Sequence, residues 1–339
     1  MAQNPFPLGK DDLLTAYRTM RTIREFEERL HVDFSRGDIP GFVHLYAGQE
    51  ASAAGVMAHL NDEDCIASNH RGHGHCIAKG VDVFGMMAEI YGKKTGVCGG
   101  KGGSMHIADF SVGMLGANGV VTAGLPIACG AAHALKLQGK PHLVACFFGD
   151  GAINRGPFLE ALNWAAVYQL PVLFICEDNR YSATTSTAGL TAGPGVAARA
   201  NALGVPSESA DGNDVTDVHA VAGRLVAKIR AGEGPQLLHA LTWRVRGHVS
   251  VDTQGYRDPL DLQGAIDADP LRRLRERGAE AQTRKLSDPQ GLLHRRWREN
   301  FQAIGFDRLD QTDILRNVAD RPFLGHQPST GFGRIGGAA

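Results

Sequence analysis

Residues Val144–Ser182 read VACFFGDGAINRGPFLEALNWAAVYQLPVLFICEDNRYS, and the order of signals in this stretch decides the fold. Leu143 to Phe148 is a short apolar run, the pattern of a strand buried on both faces. Gly149 and Gly151 flank Asp150 and allow a sharp turn with close backbone approach. Phe158, Leu159, Leu162, Ala165 and Ala166 then recur at helical spacing, and Pro171 opens a second apolar run, Val172 to Cys176. The unit is a βαβ crossover, which is right-handed in nearly all proteins. Neighbouring parallel strands put Asp150 and Asn179 at the same sheet edge, the carboxyl edge where such sheets bind ligands.

A helix N-terminus by itself favours phosphate. An aspartate beside it repels phosphate unless a cation stands between them. Asp150 therefore points to Mg2+, a hard ion that takes a few protein oxygens and leaves the rest to phosphate and water. Asn179 adds an amide oxygen, and the carbonyl of Tyr181 is a further candidate. Two other readings compete. In one, Asp150 only caps the helix. In the other, the turn belongs to a dinucleotide fold with Asp178 on a ribose, which requires G-x-G-x-x-G; Asn154 stands where the third glycine belongs.

The whole chain resembles the alpha subunit of the thiamine diphosphate-dependent decarboxylating component of 2-oxo-acid dehydrogenase complexes. The resemblance runs from about Arg24 to Pro259. It is carried by GFVHLYAGQEA (Gly41–Ala51), HRGHGHCIAKG (His70–Gly80), GGKGGSMHIAD (Gly99–Asp109), LGANGVV (Leu115–Val121), the stretch quoted above and VRGHVSVDTQGYRDP (Val245–Pro259), in that order. It implies an α/β thiamine diphosphate-binding fold: a central, mostly parallel sheet flanked by helices, with a helical C-terminal extension. Asp150, Asn179 and the Tyr181 carbonyl would hold Mg2+. Gly151 and Ala152 would meet the diphosphate through their backbones, and Arg71, beside His70, would pair with a phosphate oxygen. Gly119 and Val121 would contact the aminopyrimidine. His248 and His106 fall at the family's active-site histidines, with His73 in the phosphate loop nearby as a third catalytic candidate. The resemblance also implies half an active site. A beta subunit supplies the activating glutamate in an α2β2 heterotetramer, which feeds a lipoyl-bearing acyltransferase.

The histidine and glycine segments look most like the acetoin dehydrogenase branch, and the substrate expected is acetoin ahead of pyruvate or another 2-oxo acid or ketol. Both acetoin cleavage and pyruvate decarboxylation yield a hydroxyethyl adduct of the coenzyme; they differ in the group expelled. Four departures stand out. Glu177-Asp178-Asn179 replaces the usual Glu-Asn-Asn, and Asn154-Arg155-Gly156 replaces Asn-Gln-Gly. The added charges of Asp178 and Arg155 are expected to offset each other. His70 stands where pyruvate enzymes often carry tyrosine, and Val249 where animal pyruvate enzymes carry a regulatory serine.

The 339 residues, 43% hydrophobic and 21% charged, suit a globular protein with a large core. A net charge of −1 gives no electrostatic reason to bind nucleic acid or a membrane surface. No apolar run approaches bilayer length, and the start MAQNPFPLGKDD lacks leader character. Six scattered cysteines without a C-x-x-C pair fit a reduced, cytoplasmic setting.

The division expected is a flexible tail over 1–10, the cofactor domain over 11–268, a helical extension over 269–324 and a flexible tail over 325–339. Helices are predicted over Asp11–Arg36, Asp82–Tyr91, Leu125–Leu137 and Asp214–Ala231, with Gly37 ending the first. Asp62–Gly74 reads as a turn-rich loop, Tyr181–Ala200 as a mobile loop, and Gln236–Val245 as a strand delivering His248. A zinc site at His70, His73 and His75 is disfavoured, since no cysteine is suitably spaced. Basic residues from Arg272 to Arg298 read as solvated helix faces, or as a docking surface for a partner subunit.

Overall fold

The computed structural model describes residues 8–276. Six strands form one sheet in the order β2-β1-β3-β4-β8-β7, and every neighbouring pair is parallel. They are β1 (Cys65–Ala67), β2 (Met114–Gly116), β3 (Val144–Gly149), β4 (Val172–Asp178), β7 (Ser207–Asp211) and β8 (Gln236–Leu241). A small antiparallel pair, β5 (Tyr181–Ser182) and β6 (Thr185–Ser186), lies apart from the sheet. The helices are α1 (Lys10–Ser35), α2 (Glu50–Met57), α3 (His73–Lys79), α4 (Val83–Ile90), α5 (Gly124–Leu137), α6 (Gly156–Val167), α7 (Val196–Ala202), α8 (Val215–Arg230), α9 (Pro259–Asp267) and α10 (Pro270–Leu274).

The register between β3 and β4 runs from Val144 opposite Val172 to Gly149 opposite Glu177. Asp150 and Asn179 thus leave the sheet side by side, as the βαβ reading requires. Alternation sorts each strand between two helical layers. Val144, Cys146 and Phe148 join Val172, Phe174 and Cys176 in a core with Leu125, Ala128, Phe158 and Leu162, from α5 and α6. Phe147 faces the other way and stacks on His75 of α3, ring centroids 4.0 Å apart. Full burial on both faces explains the unbroken apolar runs, at about 1.5–3 kcal/mol for a side chain such as Phe174.

The predicted helices lie within a residue or two of their expected bounds, and Gly37 adopts φ +84° just past α1. Two loop readings are corrected. Asp62–Gly74 contains β1, a central strand of only three residues. Residues 181–200 contain the β5–β6 hairpin and the start of α7. Both elements are too short to show a period, and partner strands define them. The strand expected over 236–245 ends at Leu241.

The proposed domain boundary at 268 falls between α9 and α10. Arg24 of α1 reaches Asp269 at 2.8 Å, Arg273 reaches Asp211 at 2.7 Å, and Leu271 and Leu274 are buried. The first turn of the expected extension thus packs into the same unit. The rest of that extension, the tail over 325–339 and residues 1–7 lie outside the described residues. No helix among the described residues is long and apolar enough to cross a membrane.

Candidate active site

Because the sheet is parallel, the chain leaves β1, β2, β3, β4 and β8 at one edge, and each exit carries part of the candidate site. Past β1 come His70 and Arg71; past β2, Gly119 and Val121; past β3, Asp150 to Ala152; past β4, Asn179 and Tyr181; past β8, Arg244 and His248. Segments more than a hundred residues apart in sequence converge there.

At the β3 and β4 tips the groups are oxygen donors. Asp150 is 5% exposed, and its Oδ2 is buried with no hydrogen-bond partner. Burial, then the negative charge of Asp178, pushes its carboxyl up to about 7. Asn179 is buried, and its Nδ2 donates to Gln49 Oε1 at 3.0 Å, which fixes the direction of the amide oxygen. That oxygen takes only a long bond, 3.3 Å, from the Tyr181 N–H. Arg180 turns the chain at φ +69°, and Tyr181 OH donates to Asp261 Oδ2 at 2.5 Å. A Cβ on Gly151 would lie 2.4 Å from Ser182 Oγ, so glycine is required where the β3 turn meets β5. An unsatisfied buried carboxylate oxygen beside an oriented amide oxygen fits a hard divalent cation.

The other half of the site is basic. Arg71, buried, donates from Nη1 to Leu45 O and from Nη2 to His248 O, both at 2.8 Å, with His248 Nδ1 3.2 Å away. Burial, then the positive charge of Arg244, lowers its pKa to about 9. Arg244 is 2% exposed, with Nη1 3.5 Å from His248 Nδ1 and Nη2 donating to Ala183 O at 3.1 Å. Burial, then Arg71, lowers His44 to about 3 and His248 to about 4, and lowers His70 in the same way. Buried guanidiniums beside imidazoles held neutral describe a seat for a polyanion.

His44, His70 and His248 bring their ring nitrogens within 4.8 Å of one another. Two guanidiniums beside that trio favour an anion there over a metal. The zinc reading fails on geometry as well. His73 and His75 point into separate buried networks, the first to Glu27 and Ser104, the second to Glu177 and Ser68.

The sequence-based expectations fare unevenly. His106 is exposed and accepts from the Gly119 N–H at 3.4 Å, so these two candidates do meet. Val121 is half-exposed beside them. His73 is corrected. It is fully buried, with Nδ1 3.1 Å from Glu27 Oε1 and Nε2 2.9 Å from Ser104 Oγ, which leaves neither nitrogen for a substrate. The Asp178–Arg155 compensation is corrected too. Asp178 Oδ2 lies 2.9 Å from His239 Nε2 and its Oδ1 accepts from the Arg180 N–H at 3.1 Å, whereas Arg155 is exposed at the start of α6.

Sequence reasoning missed His44 and Gln49, although both lie in the quoted segment Gly41–Ala51. It also missed Asp252, whose Oδ2 accepts from the His248 N–H at 2.7 Å and from Tyr256 OH at 2.8 Å. Nothing in a single sequence marks such loop partners.

The model of the dehydrogenase E1 component family matches residues 18–282. This chain belongs to that family. It is 59% identical over 256 residues to the alpha subunit of acetoin:2,6-dichlorophenolindophenol oxidoreductase from Cupriavidus necator, covering 76% of this chain and 77% of that one. With the Bacillus subtilis subunit of the same name it shares 50% over 250 residues, 74% and 75% of the two chains. The pyruvate dehydrogenase E1 component subunit alpha of Porphyra purpurea is 38% identical over 280 residues, 80% and 81% of the two chains. Membership makes the protein a thiamine diphosphate-dependent oxidoreductase subunit. The anion seat around Arg71 suits the diphosphate of that cofactor.

Proposed function

We propose that this chain is the alpha subunit of a complex that cleaves acetoin and passes the acyl group to a lipoyl-bearing acyltransferase. The observation that carries the substrate is the 59% identity with an acetoin oxidoreductase subunit, against 38% with a pyruvate dehydrogenase subunit. A beta subunit completes the site in an α2β2 assembly located in the cytoplasm. Supporting an open half-site, Val120 and Val121 are 67% and 46% exposed directly beside Gly119.

Asp150, Asn179 and the Tyr181 carbonyl would hold Mg2+, whose charge would let a diphosphate sit next to Asp150. Arg71 would pair with a phosphate oxygen, with His70 and His248 beside it, and the backbones of Gly151 and Ala152 would meet the same group. Bound there, thiamine diphosphate supplies an electron sink for breaking a bond next to a carbonyl. His248, neutral and oriented through the Asp252 contact to its backbone, accepts or returns a proton at its ring nitrogen. His106 stands by the Gly119–Val121 segment, where it serves as a second proton carrier. His73 positions the Ser104 segment and takes no part in proton transfer.

The deciding experiment is dye reduction by the reconstituted αβ assembly with acetoin, pyruvate and branched-chain 2-oxo acids side by side. Acetoin should give the highest kcat/KM, and Asp150→Ala should abolish cofactor binding by calorimetry. Preference for a 2-oxo acid would overturn the substrate, and unchanged cofactor binding in D150A would overturn the site. The alpha chain alone should be nearly inactive.

A further inference from the structure

The chain between β8 and α9, residues 242–258, carries His248 through turns and bends rather than regular structure. A connection this long needs anchors if one of its side chains is to work at a fixed place. Two are backbone bonds to the segment around His44. The Val245 N–H donates to Ala47 O at 3.0 Å, and the Ser250 N–H donates to Val43 O at 2.9 Å. Further contacts reach α1, a helix that has no task in the proposed function.

Those contacts bracket the histidine. Arg246, two residues before His248, places Nη2 on Glu28 Oε2. Ser250, two residues after it, has Oγ 2.8 Å from His31 Nδ1. Glu28 and His31 are neighbours on the surface of α1, one helical step of three apart. In the same turn, Glu27 Oε1 lies 3.1 Å from Nδ1 of His73, at the start of α3 and just past Arg71. Arg71 closes the circuit by donating to His248 O at 2.8 Å. One stretch of α1 therefore touches both segments that build the basic half of the site. The Arg246–Glu28 pair is partly exposed, and an ion pair so placed contributes little by itself. The Ser250 contact weighs more. Ser250 is 4% exposed, and a buried hydroxyl requires a partner, which His31 provides.

We propose that His31 and Glu28 are positioning residues for the reaction. Through Ser250 and Arg246 they hold the backbone on either side of His248 and so set where its imidazole stands. His31 has the larger share, because its contact is the buried one. The proposal rests on the reading of His248 as a proton carrier. Every anchor joins one protein group to another, so the loop is held in the cofactor-free assembly as well.

The test compares His31→Ala, His31→Asn, His248→Gln and the H31A/H248Q double variant in the αβ assembly, by acetoin-dependent dye reduction at saturating cofactor. H31A should lower kcat about tenfold with KM within about twofold, since a misplacement of about 1 Å can cost up to about a hundredfold. H31N, whose amide can take the place of Nδ1 against Ser250, should recover most of the loss. In the H248Q background H31A should cost nothing further, because its effect passes through His248. Hydrogen exchange over residues 245–252 of the cofactor-free assembly should quicken in H31A while β3 and β4 exchange as in wild type. Wild-type kcat in H31A, an equal loss with and without His248, or unaltered exchange over 245–252 overturns the positioning role. Wild-type kcat in H248Q overturns the proton-carrier reading instead.

Discussion

Glu89 carries the sharpest stability prediction, because one buried side chain shapes the glycine-rich loop that ends at His106. It is fully buried on α4. Oε2 accepts from the N–H groups of Cys98 and Gly100 at 2.8 and 2.7 Å, and Oε1 from those of Gly102 and Gly103 at 2.6 and 3.2 Å. Gly99, Gly100 and Gly103 have φ between +60° and +78°, and a Cβ on Gly100 would meet the Gly92 backbone at 2.6 Å. The loop thus wraps its amides around a carboxylate, much as such loops wrap phosphate. Hydrogen bonds to a charged group contribute about 1.5–3 kcal/mol each. Since the loop is partly solvated and water recovers some of the loss, Glu89→Ala should cost about 3–5 kcal/mol. Glu89→Gln should cost about half, because its NH2 faces two donors while the remaining oxygen keeps the other two. Hydrogen exchange of the Cys98, Gly100, Gly102 and Gly103 amides, with denaturant unfolding of the same assembly, measures both. Exchange in E89A as slow as in wild type would falsify the idea that the carboxylate organises the loop.

Other consequences follow from the buried charges. His44 and His248 fall to about 3 and 4 when folded, against 6.5 unfolded. The unfolded chain then binds more protons between pH 4 and 6.5, so the cofactor-free protein should gain stability as pH rises through that window, by at most about 1.4 kcal/mol per pH unit for each histidine. Unfolding midpoints at pH 4.5, 5.5 and 6.5 check this, and a slope unaltered by His44→Gln would count against it. Arg71→Lys keeps the charge but loses the fork that grips Leu45 O and His248 O together, and calorimetry should show thiamine diphosphate binding weakened about tenfold or more. Tyr46→Phe removes the hydroxyl that donates to buried Glu177, leaving His75 Nε2 at 3.2 Å; a loss of about 1–3 kcal/mol is expected in denaturant unfolding.

The parts of this molecule that could be read from its sequence are those where local pattern and global fold ask for the same residues. β3, α6 and β4 are long enough to show their period, and the glycines around Asp150 mark a turn with a chemical reason. β1, β2 and β7 are different. Cys65–Ala67 and Met114–Gly116 have three residues each, and Ser207–Asp211 reads SESAD, which no strand preference favours. Pairing with β3, β1 and β8 makes them strands. The same division runs through the site. Asp150, Asn179, Arg71 and His248 sit in motifs that name their role, whereas the roles of Gln49, Glu89 and Asp252 show only in folded contacts: Gln49 with Asn179, 130 residues away, and Glu89 and Asp252 with the amides of nearby loops. His73 shows how a motif misleads: the segment belongs to the site, but the helix that begins there turns this side chain into the core.

The end of β4 shows how strand geometry assigns chemistry. Glu177, Asp178 and Asn179 are consecutive, yet each has a separate environment. The period of two sends Glu177 to the face of α3, where Tyr46 OH and His75 Nε2 hold it. Asp178 goes to the opposite face and meets His239, and Asn179 passes beyond the last sheet pairing toward Gln49. Two acids in a row are tolerated because the sheet backbone separates them and each finds its own donors. A one-residue slip of β4 against β3 would exchange the faces. It would drive Asp178 toward Tyr46 and Glu177 toward Asp150, and would carry Asn179 away from the edge. The six-residue register from Val144–Val172 to Gly149–Glu177, buried on both sides, thus fixes where Asp150 and Asn179 leave the sheet as firmly as it fixes the core.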